Sequence, residues 1–513
     1  MATTATATPR CEEAMEATKS LVLGIPLDNL DMNETLDRLF ELADSWAGSE
    51  QPAHLIATIN VDFLVNCLPF GRGPFKHPEL VSILRKATMC TADGMPLVWA
   101  SRLLGCPYKE RVTGADMVPA IAERAARTGH SLYLLGGALD VAQEAADVLC
   151  ERHPGLTIAG VDSPFVHTGG EKLVDAPETD GPICERINAS GAHFLMIGFG
   201  NPKQEIWFQR NQHRLRVPLS FGIGGTFNFI TGRTPRAPQW MQTAGVEWLY
   251  RLAAEPRRLW KRYFIGLTKF GSAVLPGIVR YQMLRLRAPA AAPPLDDALY
   301  IAGERVLREL RLPAVLAPTD VPALHAPFHS DPRPDAVVLD CAQLQLLSAS
   351  CQGILYDLLR LSEQEQVPVY LVGLRKALVA LLHSCRIHDA FEDRLCRSHT
   401  NVMSRLADCW KVRPCLFSVE TSDEELTLRV WGELNAAALN HVDAEAAVAA
   451  LAEKPCSVDL RACTSVDNAG VALLLKLRRR QAQHDKPLAI RNARSDVLRV
   501  LRTSDAEEQF AIQ

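Results

Sequence analysis

A chain of 513 residues is more than three times a typical domain of roughly 150, which excludes a single uniform core and predicts several domains. With 48% apolar and 22% charged residues it has the composition of a globular protein, and neither a disordered nor a fibrous chain. A net charge of −4 excludes general coating of nucleic acid, so no nucleic-acid partner is expected, although a local basic patch stays open.

The start, MATTATATPR followed by Cys11-Glu12-Glu13, has no apolar run behind a basic stretch, so no secretory signal and a cytoplasmic location are expected. The fourteen cysteines form no Cys-x-x-Cys pair and suit buried, reduced thiols; no metal site is expected. The longest nearly apolar stretch, Phe270 to Val279, is about half the roughly twenty residues that a bilayer-spanning helix needs.

Strand-like runs alternate with helical patterns in the first half, which predicts a parallel α/β sheet of the Rossmann-like kind. The clearest strands are His54 to Asn60, Ser131 to Leu135, His193 to Gly198 and Val217 to Ile223. Three of them run into glycine turns: Gly136-Gly137, Gly198 and Gly200, then Gly222, Gly224 and Gly225. Such turns let backbone approach a ligand closely, and the helix N-terminus that follows favours phosphate. A tight turn alone explains any one of them.

Polar residues gather at the same strand ends. Thr58 and Asn60 close one apolar run, Asp93-Gly94 follows Ala87 to Ala92, Arg111 precedes Thr113-Gly114-Ala115-Asp116, and Pro202-Lys203-Gln204-Glu205 opens a helix after Gly200. Asp-Gly is also an ordinary turn, Lys-Gln-Glu an ordinary solvated first turn, and Arg111 an ordinary surface partner.

From Glu247 to Arg287 nine Lys or Arg face two Glu, a local net charge of +7. With Pro256 in the first turn of a helix, Leu259, Trp260, Tyr263, Phe264, Leu267 and Phe270 fall within an arc of roughly 140°. Arg257, Arg258, Lys261, Arg262 and Lys269 fall opposite, interrupted by Ile265 and Thr268. Such segregation fits an interfacial helix on an anionic membrane surface, and equally a helix docked on its own domain.

Ala288 to Pro294 (APAAAPP) predicts an interdomain spacer, bounded at 288–297, and the proline-rich 313–334 an irregular part of the next domain. Beyond it lies a weak internal repeat. AVVLD at Ala336 to Asp340 and SVDL at Ser457 to Leu460 are each followed by a glycine, Gly353 or Gly470, and then a helix-like stretch.

Several motifs of the first half, taken together, carry a resemblance. They are TINVDFL (Thr58 to Leu64), ADGMPLV (Ala92 to Val98), ERVTGAD (Glu110 to Asp116) and YLLGG (Tyr133 to Gly137). They continue with GFGNPKQE (Gly198 to Glu205), GIGG (Gly222 to Gly225), RAP (Arg236 to Pro238) and EWLYRLAAEPRR (Glu247 to Arg258). In this order they resemble the WecG/TagA/CpsF glycosyltransferases, over about Leu21 to Phe270. The resemblance implies inverting transfer of an N-acetylhexosamine-type sugar, N-acetylmannosamine or its uronic acid, from a UDP-sugar donor to a polyprenyl-diphosphate-linked acceptor, without bound metal or other cofactor.

The resemblance also implies roles. Asp93 is the candidate base that takes the acceptor proton, with Arg111 and Gln204 counted as catalytic beside it. Thr58, Asn60, Arg111 and Gln204 would hold sugars, and Gly136, Gly137, Gly200, Gly224 and Gly225 would shape the UDP pocket. Lys203 and Glu205 join the substrate-binding set. Arg251, Arg258 and Arg262, with Lys261 less firmly placed, would reach the diphosphate from a C-terminal appendage that also meets the inner face of the cell membrane. The loop CLPFGRGPFKHP (Cys67 to Pro78) is longer than usual for the family, which bears on acceptor specificity.

Val458 to Gly470 with the following helix resembles a STAS domain of the anti-sigma-factor-antagonist type, and Val337 to Phe391 a divergent copy. Ala469 stands where that family carries its phosphorylated serine; aligned on Gly353, the first copy reads Ser350-Cys351-Gln352-Gly353. Binding of a protein partner, or homo-oligomerisation, is therefore expected in place of a phosphoswitch. Arg478 to Arg480 are a solvated helix face or a partner patch. The domains expected are a tail (1–20), a transferase (21–287) with its basic appendage (247–287), the spacer, and two STAS-like modules (298–405 and 406–513). The rival reading is a regulator that senses a nucleotide-sugar through the first half and acts through the STAS-like modules.

Overall fold

The computed structural model describes the chain except residues 1–18, 47–51, 70–72, 169–175, 244, 289–294, 303–304, 411–414, 422–424, 436–454, 484–485, 487, 505 and 513. It divides into two compact units, one comprising residues 1–283 with 348–353 and 381–387, the other the remaining residues from 284 to 513. The expected spacer and tail lie largely outside the described residues. Two boundaries move: strand pairing already starts at Lys19, and the residues assigned to the end of the spacer, Asp296 and Asp297, belong to a strand because they pair with Arg311 and Leu310.

In the first unit a hairpin, β1 (Lys19–Val22) and β2 (Ile25–Asp28), precedes the main sheet. The sheet strands are β3 (His54–Ile59), β4 (Met89–Ala92), β5 (Ser131–Gly136), β6 (Thr157–Asp162), β7 (Phe194–Gly198) and β8 (Leu219–Gly222). All pair in parallel in the order β4-β3-β8-β7-β5-β6. The central strands are buried on both faces, which is why they read as unbroken apolar runs such as FLMI. Phe194, Met196, Phe221, Leu132 and Leu134 meet the apolar stripes of helices such as α1 (Met32–Ser45), started by an Asp31–Glu34 capping box.

The helices that matter to function begin at strand ends. They are α2 (Val61–Cys67) after β3, α3 (Met95–Leu103) after β4, α4 (Gly114–Thr128), and α5 (Lys203–Asn211) after β7. The unit closes with α6 (Glu247–Ala254) and the 30-residue α7 (Pro256–Arg285).

The second unit is built on one eleven-stranded sheet. Its strands are β9 (Asp296–Ala302), β10 (Arg305–Arg311), β11 (Ala336–Asp340), β12 (Val369–Val372) and β13 (Leu395–Cys396), followed by β14 (Cys415–Thr421), β15 (Leu426–Leu434), β16 (Cys456–Asp459), β17 (Cys463–Val466), β18 (Leu488–Arg491) and β19 (Ala511–Ile512). The order β13-β12-β11-β10-β9-β14-β15-β16-β18-β19, with β17 beside β15, sets two like halves back to back: each runs hairpin, parallel strand, helix, parallel strand.

The repeat holds at single residues. Arg311 pairs with Asp340 as Arg429 pairs with Asp459, and each Asp accepts a backbone N–H two residues on, from Ala342 and from Arg461, at 2.9 Å. The same offset relates the starts of α8 (Ala349–Gln364) and α9 (Asn468–Ala482). This changes the alignment expected from Gly353: Ser350 now corresponds to Ala469, and Cys351 to Gly470.

Candidate active site

The carboxyl ends of β4, β3, β8 and β7, four neighbours in the sheet, open into a cavity of about 1110 Å³. Its wall includes Thr58, Asn60, Asp93, Arg111, Gly224 and Arg251. Thr58 is buried and donates to the Gly222 carbonyl at 3.3 Å, tying β3 to β8. Asn60 caps α2, its side-chain oxygen accepting from the N–H of Asp62 at 3.0 Å and of Phe63 at 3.3 Å; its amide nitrogen is left as the donor for a ligand. Asp93 directly follows β4, and its N–H donates to the Ile59 carbonyl at 2.7 Å.

Burial lifts the Asp93 carboxyl to about 7, against the pull of Arg111 and Arg251 and with a smaller push from Asp116 and Glu247. Around it runs a chain of ion pairs. Arg111 meets the Glu247 carboxylate at 3.3 Å, Arg236 reaches the same oxygen at 3.8 Å, and Arg236 also pairs with Asp116. Asp116 accepts from the Thr113 hydroxyl at 2.7 Å; burial would raise it, but Arg236 and Thr113 outweigh that and hold it below the usual carboxylate range. The Arg251 guanidinium lies 4.5 Å from the centre of the Phe229 ring. A carboxyl raised toward neutrality thus stands near three guanidinium groups, an arrangement able to take a proton from a hydroxyl and to stabilise an anionic leaving group.

Gln204 and Glu205 form a second, buried layer. The Gln204 side-chain oxygen accepts from the backbone N–H of Gly200 and of Gly224, both at 3.1 Å, and so joins the turns after β7 and β8. Its amide nitrogen donates to Glu205 at 2.6 Å, and the other Glu205 oxygen accepts from Asn201 at 3.1 Å. Burial lifts Glu205 to about 7 despite these hydrogen bonds. A Cβ on Gly222 would lie 2.6 Å from the Gln204 nitrogen and 2.7 Å from a Glu205 oxygen, so only glycine fits there.

A model of the glycosyl transferase WecG/TagA/CpsF family matches residues 21–283, just over half of the chain. The chain belongs to the WecG/TagA/CpsF glycosyltransferase family. Over 214 residues it is also 27% identical to the N-acetylglucosaminyldiphosphoundecaprenol N-acetyl-beta-D-mannosaminyltransferase of Bacillus spizizenii, covering 42% of this chain and 78% of that protein. A STAS-domain model of the Mlab type matches residues 417–512. The solved structure of the anti-sigma factor antagonist SpoIIAA, unphosphorylated, is similar at 21% identity over 19% of this chain and 87% of that one, with a TM-score of 0.17, too low to carry an argument.

In this WecG/TagA/CpsF enzyme Thr58, Asn60, Asp93, Arg111, Gly200, Gln204, Gly224, Gly225, Arg251, Lys261 and Arg262 all line the cavity. Four expected residues do not. Lys203 is solvent-exposed, and Glu205 is fully buried behind Gln204. Gly136 and Gly137 end β5, one strand beyond the four that open into the cavity, where Cβ atoms would meet the rings of Phe199 at 2.7 Å and Phe227 at 3.3 Å. The Arg258 side chain lies outside the described residues.

Arg236 and Glu247 line the cavity and Asp116 pairs with Arg236; the motif reading passed over all three, although RAP, ERVTGAD and EWLYRL contain them. The basic helix begins at Pro256 as expected, but its apolar arc is split. Leu259 and Phe270 are buried, whereas Trp260 and Phe264 are 57% and 67% exposed and Leu267 is exposed as well. Lys269, assigned to the solvated basic face, is buried with its ammonium 3.1 Å from the Val65 carbonyl. The helix docks along Leu259, Gly266, Phe270, Val274, Gly277 and Tyr281, a narrower stripe than the whole arc.

Among the described residues one group has the donor types and spacing to hold a metal, Glu309, Asp340 and His399 of the second unit, with atoms within 4.8 Å of one another. Its members already engage protein groups: His399 bonds Glu309 at 2.7 Å, and Tyr300 donates to the other Glu309 oxygen at 2.8 Å.

Proposed function

We propose that this glycosyltransferase moves an N-acetylhexosamine-type sugar, N-acetylmannosamine or its uronic acid, from UDP to a polyprenyl-diphosphate-linked sugar in surface-polysaccharide synthesis, with inversion. The similarity to the Bacillus spizizenii mannosaminyltransferase supports the substrate class. One observation carries the catalytic assignment: Asp93, raised to about 7 by burial, faces a cavity that also holds Arg111, Arg236 and Arg251. Asp93 takes the proton of the acceptor hydroxyl as that oxygen attacks the anomeric carbon, and the guanidinium groups receive the charge of the departing diphosphate. The family resemblance suggests that no metal is needed, and the arginines supply positive charge of the kind a metal would bring. Thr58 and Asn60 hold sugar hydroxyls, and the Gly200 and Gly224 turns hold the nucleotide.

The acceptor is lipid-linked, so the enzyme works at the cytoplasmic face of the membrane. No helix among the described residues is long and apolar enough to cross it. Instead, the exposed Trp260, Phe264, Leu275, Val279 and Met283, beside Arg257, give α7 an amphipathic outer face suited to peripheral contact with anionic lipid. The STAS-like half then serves a protein partner or self-association.

The deciding experiment offers UDP-N-acetylhexosamines, with a short-chain lipid-diphosphate sugar, to the full chain and measures UDP release. Release with one donor, lost by about 10² to 10⁴-fold in Asp93→Asn, is the expected result. Undiminished release in that variant removes Asp93 as the base.

A further inference from the structure

Glu205 was expected to touch substrate, yet none of it is exposed, and it does not line the cavity. An isolated buried carboxylate is costly, so its surroundings show what it is for. One oxygen takes the Gln204 amide nitrogen at 2.6 Å and the other the Asn201 amide nitrogen at 3.1 Å; Asn201 in turn accepts from Asn66 at 2.7 Å.

The consequence lies at the far end of Gln204. A side-chain amide has one oxygen and one NH2 group, and which way round it sits depends on its partners. The N–H groups of Gly200 and Gly224 both need an acceptor, and only the oxygen can serve both. Rotated by half a turn, the amide would set its own NH2 against two N–H donors. Both Glu205 oxygens already accept, one from Gln204 and one from Asn201, so the side chain accommodates the NH2 end of Gln204. Gly200 and Gly224 adopt φ of +80° and +54°, a left-handed conformation that glycine enters without strain, and both present their N–H groups to the Gln204 oxygen.

We infer that Glu205 is a positioning residue: it fixes the orientation of the Gln204 amide, and through it the spacing of the two glycine turns on the cavity wall. It acts without touching substrate. Glutamine at 205 has the same shape but only one oxygen, so either Gln204 or Asn201 would face an NH2 group, and the Gln204 amide would be free to turn.

The inference concerns the turns themselves and rests on the transferase reading only where UDP is the probe. Hydrogen exchange is measured by mass spectrometry on the full chain, wild type against Glu205→Gln, in peptides spanning 198–204, 222–226 and 131–136. Exchange at least about tenfold faster in the first two, with the third unchanged, is expected. Calorimetric titration should show UDP affinity about tenfold weaker.

Unchanged exchange at both turns, or acceleration that extends equally to 131–136, overturns the inference. Glu205→Asp, one methylene short but still an acceptor, should fall between wild type and Glu205→Gln, and decides the matter if the latter does not fold. If wild type binds no UDP while exchange at both turns still depends on Glu205, the donor reading fails and the positioning role stands.

Discussion

Asp93, as the proposed base, would tie the activity of this enzyme to its stability. Its carboxyl titrates near 3.8 in an unfolded chain and at about 7 in the folded one, so the folded state binds the proton more tightly. Stability therefore falls as pH rises from about 4 to 7, whereas turnover, with Asp93 as the proposed base, should rise through about 7. Asp93→Asn should cut transfer by about 10² to 10⁴-fold and yet raise thermal stability at pH 8 by about 1–3 kcal/mol, checked by unfolding scans at pH 5 and pH 8. Its neighbour Glu247 shares one carboxylate oxygen between Arg111 and Arg236, two cations suited to a diphosphate. Glu247→Gln should tighten UDP binding about tenfold by removing a competing anion, with titration calorimetry as the measure. Weaker binding would mean that Glu247 instead holds Arg111 in place.

At the scale of elements, the glycine-bounded ends of β7 and β8 and the helix α7 carry the consequences. Gly222→Ala places a Cβ against Gln204 and Glu205, so a loss of about 1–3 kcal/mol in denaturant unfolding is expected, together with weaker UDP binding. For α7 the docked stripe and the exposed apolar residues are separate sets. Trp260→Ser with Phe264→Ser should cut flotation with anionic liposomes several-fold while leaving the unfolding midpoint within about 1 °C, because both residues lie off the docked face. Equal flotation would assign the outer face to something other than lipid. Periodicity showed that this segment is an amphipathic helix. It could not show which third of the surface is covered, because that depends on what packs against it.

At the scale of the whole chain, the second unit is a tandem joined through β9 and β14, and buried charge runs through it. Arg311 meets Asp296 at 3.1 Å and Asp459 of the other half at 3.4 Å, while Arg429 meets Asp296 at 2.9 Å. Burial by itself would raise Glu309, but the His399 hydrogen bond and charge, with Arg311 and Tyr300, hold it below the usual range. Its folded value is thus lower than its unfolded one. The stability it contributes is present above the unfolded value and is lost as pH falls through the folded one, in the acid range below about 4.5. His399→Ala, which removes one of the partners that hold the Glu309 carboxylate, should cost about 1–3 kcal/mol in denaturant unfolding at pH 7.

The local alphabet of this protein was legible in its sequence. Apolar runs ending in Thr58-x-Asn60 or Asp93-Gly94 mark parallel strands with polar tips, because a strand buried on both faces must be apolar throughout and can present chemistry only where it ends. Pro256 marked the helix start for the same kind of reason, a fixed φ and a missing N–H that suit a first turn. Strand order was not legible. Gly136-Gly137 looks like Gly198-x-Gly200 in sequence, yet β5 stands one place outside the four strands that open into the cavity. Nor could Gln204-Glu205 be divided into a residue that lines the wall and one that holds it, since both follow the same turn. Local preference depends on a residue and its near neighbours, which the sequence contains. Which strand lies beside which, and which of two adjacent side chains faces the ligand, depends on long-range pairing and burial, and these exist only once the chain is folded.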